Sequence, residues 1–115
     1  MESREKRSYI RLDALNLLDY LVIDREGRQT IHSEGRTLDV SGHGMKLEIT
    51  QMLNAGDTLL ITVGLEDELV DITGEVKHCE EKDNRYSVGI EFSKIGPEAM
   101  LTLQRYITAF KKHFT

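Results

Sequence analysis

The sequence predicts a small, mainly β domain: a six-stranded antiparallel barrel closed by a C-terminal α-helix. Three observations predict it. Short apolar stretches with period-two alternation recur from residue 17 to residue 92, separated by glycine-bearing or charged turns. The pattern then changes once, after Pro97, to a helical period. A chain of 115 residues has room for one core, burying roughly two thirds of its unfolded surface. Short strands followed by one helix suit a closed barrel with the helix packed on it.

The elements follow in order. Leu17–Ile23 is apolar and β-rich at its end, and "REGR" after it reads as a turn around Gly27, a hairpin start. In "GRTLDVSGHGMKLEI", Leu38 and Val40 flank Asp39, "SGHG" interrupts with two glycines in three residues, and Met45, Leu47 and Ile49 alternate with Lys46 and Glu48. That is strand, tight turn, strand. "NAGD" (54–57) is a turn and "TLLITVGL" (58–65) a strand. "LVDITGEVKH" (69–78) places Val70, Ile72, Val76 and His78 on one face and Asp71, Thr73, Glu75 and Lys77 on the other. "EEKDN" (80–84) reads as a polar turn, and "YSVGIEF" (86–92) as the last strand. Pro97 fits the first helical turn, where its missing N–H costs nothing. Met100, Leu103, Ile107, Phe110 and Phe114 then form one apolar stripe. This stripe fits either the barrel core or a dimer interface, so the chain is expected as a monomer or homodimer.

Composition excludes several function classes. The net charge is −5, with a basic front: residues 1–11 hold four Lys/Arg against two Glu. Residues 48–91 hold eleven acids against three bases. A binder of nucleic-acid polymer needs many phosphate-neutralising cations and stacking faces, and this chain is acidic with three Phe, four Tyr and no Trp. Localised arginines suit a small anion better. Cys79 is the single cysteine, which fits a reducing compartment. No apolar run approaches the ~20 residues of a membrane span, and "MESREKRS" lacks a secretory apolar core. A cytoplasmic location without membrane insertion is therefore expected. His78–Cys79 is no metal signature, since strand neighbours face opposite ways. His32 and His113 read as surface residues. Asp39, Ser41 and His43 look like triad members, but a tight turn points them apart, so no enzyme is expected.

Two motifs carry binding chemistry. Arg7 and Arg11, four apart, precede the first strand, and a guanidinium fork matches a phosphate or the O6/N7 edge of guanine. In "DVSGHG" (39–44), Asp39 can accept from guanine N1–H and N2–H₂, and Ser41 can donate or accept beside it. Gly42 and Gly44 permit positive φ and close backbone approach. The plain alternatives are a solvated basic tail and a hairpin turn in which Asp39 bonds its own backbone.

With both motifs in place, the sequence resembles the PilZ domains, a family marked by RxxxR followed 20–30 residues later by [D/N]xSxxG. Here these are "RSYIR" (7–11) and "DVSGHG" (39–44). "YSVGIEF" and the helix after it are also similar to the family, over essentially the whole chain. The resemblance implies a split-barrel PilZ-like fold in one domain spanning 1–115. Its parts would be a ligand-binding arm (1–13), a barrel (14–93) and a helix (97–114). It implies a receptor for cyclic di-GMP, with no cofactor. Arg7 and Arg11 would contact guanine and phosphate, Asp39 and Ser41 a guanine edge, and Gly44 would shape the turn. Gly42, His43, Lys6 and His78 complete the candidate set. A basic residue at Lys6 is common in members that bind a stacked ligand pair. The chain departs from members that carry a bulky base-stacking aromatic near the end of the fifth strand: the nearest equivalent is His78, whose alternative reading is a barrel-rim residue. The implied role is an adaptor whose arm changes conformation on binding and is read by an effector protein, in motility, exopolysaccharide and biofilm, secretion or virulence control. The alternative is a protein-interaction module that does not bind nucleotide.

Overall fold

The computed structural model describes residues 16–93 and 95–114. Six strands, β1 (Leu17–Ile23), β2 (Gln29–Val40), β3 (Gly44–Ile49), β4 (Thr58–Leu65), β5 (Glu68–Lys82) and β6 (Arg85–Phe92), precede one helix, α1 (Pro97–Phe114). All six strand pairings are antiparallel and close a barrel in the order β1-β2-β3-β6-β5-β4. Closure leaves no open sheet edge, so every strand is paired on both sides.

Alternation decides what faces inward. Leu18, Tyr20 and Val22 of β1, Leu59, Ile61 and Val63 of β4, and Val70, Ile72 and Val76 of β5 are all buried in one core. Turn chemistry joins the strands. At the β1–β2 turn, Asp24 accepts the backbone N–H of Glu26 and of Arg28, both at 2.9 Å, while Gly27 takes a positive φ of 84°. Those backbone donors, Arg28 first, hold the Asp24 carboxyl below its usual range.

The polar turn expected over 80–84 is shorter than the sequence suggests. Strand β5 runs on to Lys82, and only Asp83 and Asn84 turn, at φ 54° and 66°. Asp and Asn tolerate that left-handed region, so a two-residue hairpin suffices and Glu80–Lys82 stay in the ladder.

Helix α1 lies against the barrel through Leu103, Tyr106 and Phe110. Tyr106, which the expected stripe did not include, is buried with Leu103 and Phe110. Its Oη lies 3.0 Å from Thr37 Oγ1 on β2, both residues being buried. Phe114, at the far end of the expected stripe, is 47% exposed and stacks on Phe110 instead of entering the core. Arg105 ties the helix to the β4–β5 turn through Glu66 at 2.8 Å. No described helix is long and apolar enough to cross a membrane. His32 is half-buried rather than a plain surface residue, because its Nε2 sits 2.8 Å from the buried carboxylate of Asp19.

Candidate functional site

Strands β2, β3, β6 and β5 run side by side, and the register lines up one residue from each. Asp39 faces Lys46, Lys46 faces Gly89, and Gly89 faces His78. These residues, with Ser41, His43, Gly44, Lys77 and Glu91, line an open concavity of about 510 Å³ on the outside of the barrel.

Two bulges aim the site. Along β2 the buried Thr37 is in phase with the inward set, and the register then slips between Thr37 and Asp39. Leu38 and Asp39 are both exposed, and Val40 becomes the inward residue. Unbroken alternation would have pointed Asp39 into the core. Strand β5 repeats the device between Val76 and His78. The sequence pattern placed His78 on the face of Val70, Ile72 and Val76. The extra residue reverses this, so that Lys77 and His78 are exposed and Cys79 packs against the core. Bulges commonly re-aim side chains in this way beside binding sites.

The glycines act through close approach. Neither Gly42 nor Gly44 takes the positive φ that a glycine permits. A Cβ on Gly44 would stand 2.1 Å from the carbonyl oxygen of Ile90, so the contact between β3 and β6 excludes any side chain there. At Gly42 the space is open. Gly89, which the sequence reading passed over, forms the floor. A Cβ there would fall 2.2 Å from His78 Nε2 and 2.5 Å from its Cε1, so the imidazole lies across the glycine and presents its outer face.

Hydrogen bonding separates committed from uncommitted groups. Ser41 Oγ accepts the N–H of His43 at 3.2 Å, and the Ser41 N–H donates to Gly44 O at 2.9 Å, which closes the turn. The Ser41 hydroxyl proton is left for an outside acceptor. The plain turn reading had Asp39 bonded to its own backbone; among the described residues its carboxylate has no partner. Lys46 and the rings of His43 and His78 are likewise without partners among the described residues. Lys77 is engaged, 3.1 Å from Glu91 and 3.6 Å from Glu75. The hydrogen bond to Glu91, then the Glu75 charge, raises its pKa. The triad arrangement does not form, since His43 meets Ser41 through its backbone N–H. No cluster of His, Cys, Asp or Glu among the described residues is arranged to hold a metal ion. Lys6, Arg7 and Arg11 lie outside the described residues.

The PilZ domain family model matches residues 5–109, taking in both motifs, the barrel and most of the helix. This chain belongs to the PilZ domain family. Solved PilZ structures share its fold. The PilZ domain of YcgR from Escherichia coli, solved with c-di-GMP, is 15% identical with a TM-score of 0.63, the match covering 90% of this chain and 87% of that one. The PilZ domain of CeSA from a cellulose-synthesizing bacterium is 14% identical with a TM-score of 0.60, covering 83% and 93%. The inhibitor of motility MotI/DgrA of Bacillus subtilis is 18% identical with a TM-score of 0.56. The match covers 93% of this PilZ domain and 52% of that chain, about half its length. No curated protein matches the chain. At these identities the likeness to solved structures is one of fold.

Proposed function

We propose that this PilZ domain is a cyclic di-GMP receptor, without enzymatic activity, that passes the signal to a partner protein. One observation carries the reading. A bulge turns Asp39 out of the core into an open concavity, where its carboxylate has no partner among the described residues. The exposed carboxylate is an acceptor that suits the N1–H and N2–H₂ donors of a guanine, and the free serine proton beside it suits an acceptor on the ligand. His78, lying over Gly89, offers a flat surface for a purine to stack on. The concavity opens beside β2 and β3, and it holds few cations of its own, so the phosphates call for the arginine forks of Arg7 and Arg11. Gly44 fixes the turn, Gly42 leaves room above it, and Lys6 and His43 add donors at the rim. Docking of arm 1–13 onto the barrel would change the exposed surface that an effector reads. A cytoplasmic setting, where this nucleotide is made and sensed, is part of the same reading. So is a role in motility, biofilm, secretion or virulence control.

The test is calorimetric titration with cyclic di-GMP of the wild type, Arg7→Ala and Asp39→Ala. Micromolar or tighter binding that both substitutions abolish is the expected result. A folded wild type that evolves no heat and does not bind would overturn the reading and leave a PilZ-fold protein-interaction module.

A further inference from the structure

Lys46 stands directly opposite Asp39 on the β2–β3 ladder and lines the same concavity. No ion pair joins the two, and among the described residues Lys46 has no hydrogen-bond partner. An opposite-charge pair facing across a sheet is close enough to form a contact. Here an acceptor and a donor are presented side by side, both unengaged, over a glycine floor.

That arrangement has a specific complement. The Watson–Crick edge of guanine offers two donors, N2–H₂ and N1–H, followed by the acceptor O6, with N7 beyond. A carboxylate satisfies the donors, and an ammonium next to it satisfies O6 and N7. Neighbouring side chains on paired strands, about 5 Å apart, are spaced to reach both parts of one base edge. Adenine reverses the pattern, with an amino donor where guanine has O6 and an acceptor at N1. An adenine in this place would set its amino group against the Lys46 ammonium and its N1 against the Asp39 carboxylate. All of these groups would lose partners, which is the costly form of mismatch.

We infer that Lys46 is a specificity-determining residue, reading guanine O6 and N7 beside Asp39 and so selecting guanine over adenine dinucleotides. This rests on the receptor reading above and adds to it a residue outside both sequence motifs. It also separates the two lysines of the concavity. Lys77 is held by Glu91 and Glu75, whereas Lys46 is available to a base.

The experiment measures dissociation constants of cyclic di-GMP and cyclic di-AMP for the wild type, Lys46→Met and Lys46→Arg at one fixed salt concentration. Circular dichroism monitors the fold. Lys46→Met is expected to weaken cyclic di-GMP about 5- to 150-fold, the range for one good base contact. It should not weaken cyclic di-AMP. Lys46→Arg, which also donates to O6 and N7, should retain cyclic di-GMP binding. Two results would overturn the inference alone. One is wild-type binding that Lys46→Met does not alter. The other is a loss shared in equal measure by both dinucleotides, the signature of a contact to the phosphates they have in common. A wild type that binds no cyclic di-GMP would remove the receptor reading and this inference with it.

Discussion

Tyr106 offers the most direct test of how the helix is held. Its hydroxyl and the Thr37 hydroxyl, 3.0 Å apart, form a buried polar contact between helix and barrel, with Tyr106 fully buried and Thr37 3% exposed. Tyr106→Phe keeps the ring and removes the contact. The net hydrogen bond contributes about 0.5–1.5 kcal/mol, and leaving Thr37 buried without its partner costs about 1–3 kcal/mol, so the expected loss is about 1–3 kcal/mol. Unfolding entropy near 2.1 cal/mol/K per residue gives about 0.24 kcal/mol/K for 115 residues, so Tm should fall by roughly 4–12 °C. Urea titration should lower the midpoint with the m-value unchanged. Adding Thr37→Val removes the orphaned hydroxyl, so the double variant should be more stable than the sum of the single losses predicts. The same group sets an alkaline limit. Burial pushes the Tyr106 pKa from 10.0 up to about 12, the Thr37 hydrogen bond opposing this only in part. The folded-state pKa is the higher one. The stability it contributes is therefore whole below pH 10 and is lost between about pH 10 and 12. The shift corresponds to roughly 2–3 kcal/mol. Tyr106→Phe should flatten that part of the pH profile. A single substitution within about 0.5 kcal/mol of wild type, with no coupling to Thr37 and an unchanged alkaline profile, would refute the argument.

Four further outcomes follow from the geometry. Gly44→Ala places a methyl 2.1 Å from a backbone carbonyl of the neighbouring strand, and should cost about 2 kcal/mol or more in denaturant unfolding. Gly89→Ala instead meets the end of the His78 ring, which can swing away. It should therefore weaken cyclic di-GMP in calorimetry while leaving Tm close to wild type. His32→Ala leaves the Asp19 carboxylate buried without its imidazole, and thermal unfolding should show a loss of about 1–3 kcal/mol. Amide exchange across residues 4–13 should slow on adding cyclic di-GMP; exchange unaltered by saturating ligand would sink the docking arm.

Much of the architecture is legible in the sequence because burial imposes a period. Residues 58–65 read as a strand and form one with those bounds, and Pro97 opens the helix. The legibility ends where the period slips. Leu38 and Lys77 are the inserted residues of the two bulges, and a bulge shows in sequence only as a change of phase. Thr37 before Val40, and Val76 before Cys79, carry that change, but an apolar Leu38 and the histidine at 78 hide it. Tyr106 was missed for a different reason. A polar group enters a core only where a partner waits, and Thr37 is 69 residues away.

These slips are also what makes the site. A barrel that buries one face of every strand assigns side chains by parity, and parity alone would send Asp39 and His78 inward. Buried there, the carboxylate would be desolvated and either unpaired or protonated, and unavailable to a ligand. One extra residue on β2 and one on β5 reverse the assignment locally while Val40 and Cys79 resume the core. Between the two bulged strands lie β3 and β6, which contribute Lys46 and the side-chain-free Gly89. The concavity is therefore a consequence of two register shifts bracketing a glycine. Asp39 and His78 stand on its walls because those shifts expose them. The D-x-S-x-x-G motif alone names only one side of it. The opposite side, His78 over Gly89, comes from two strands, β5 and β6, much later in the chain and is brought beside the motif only by the closed strand order.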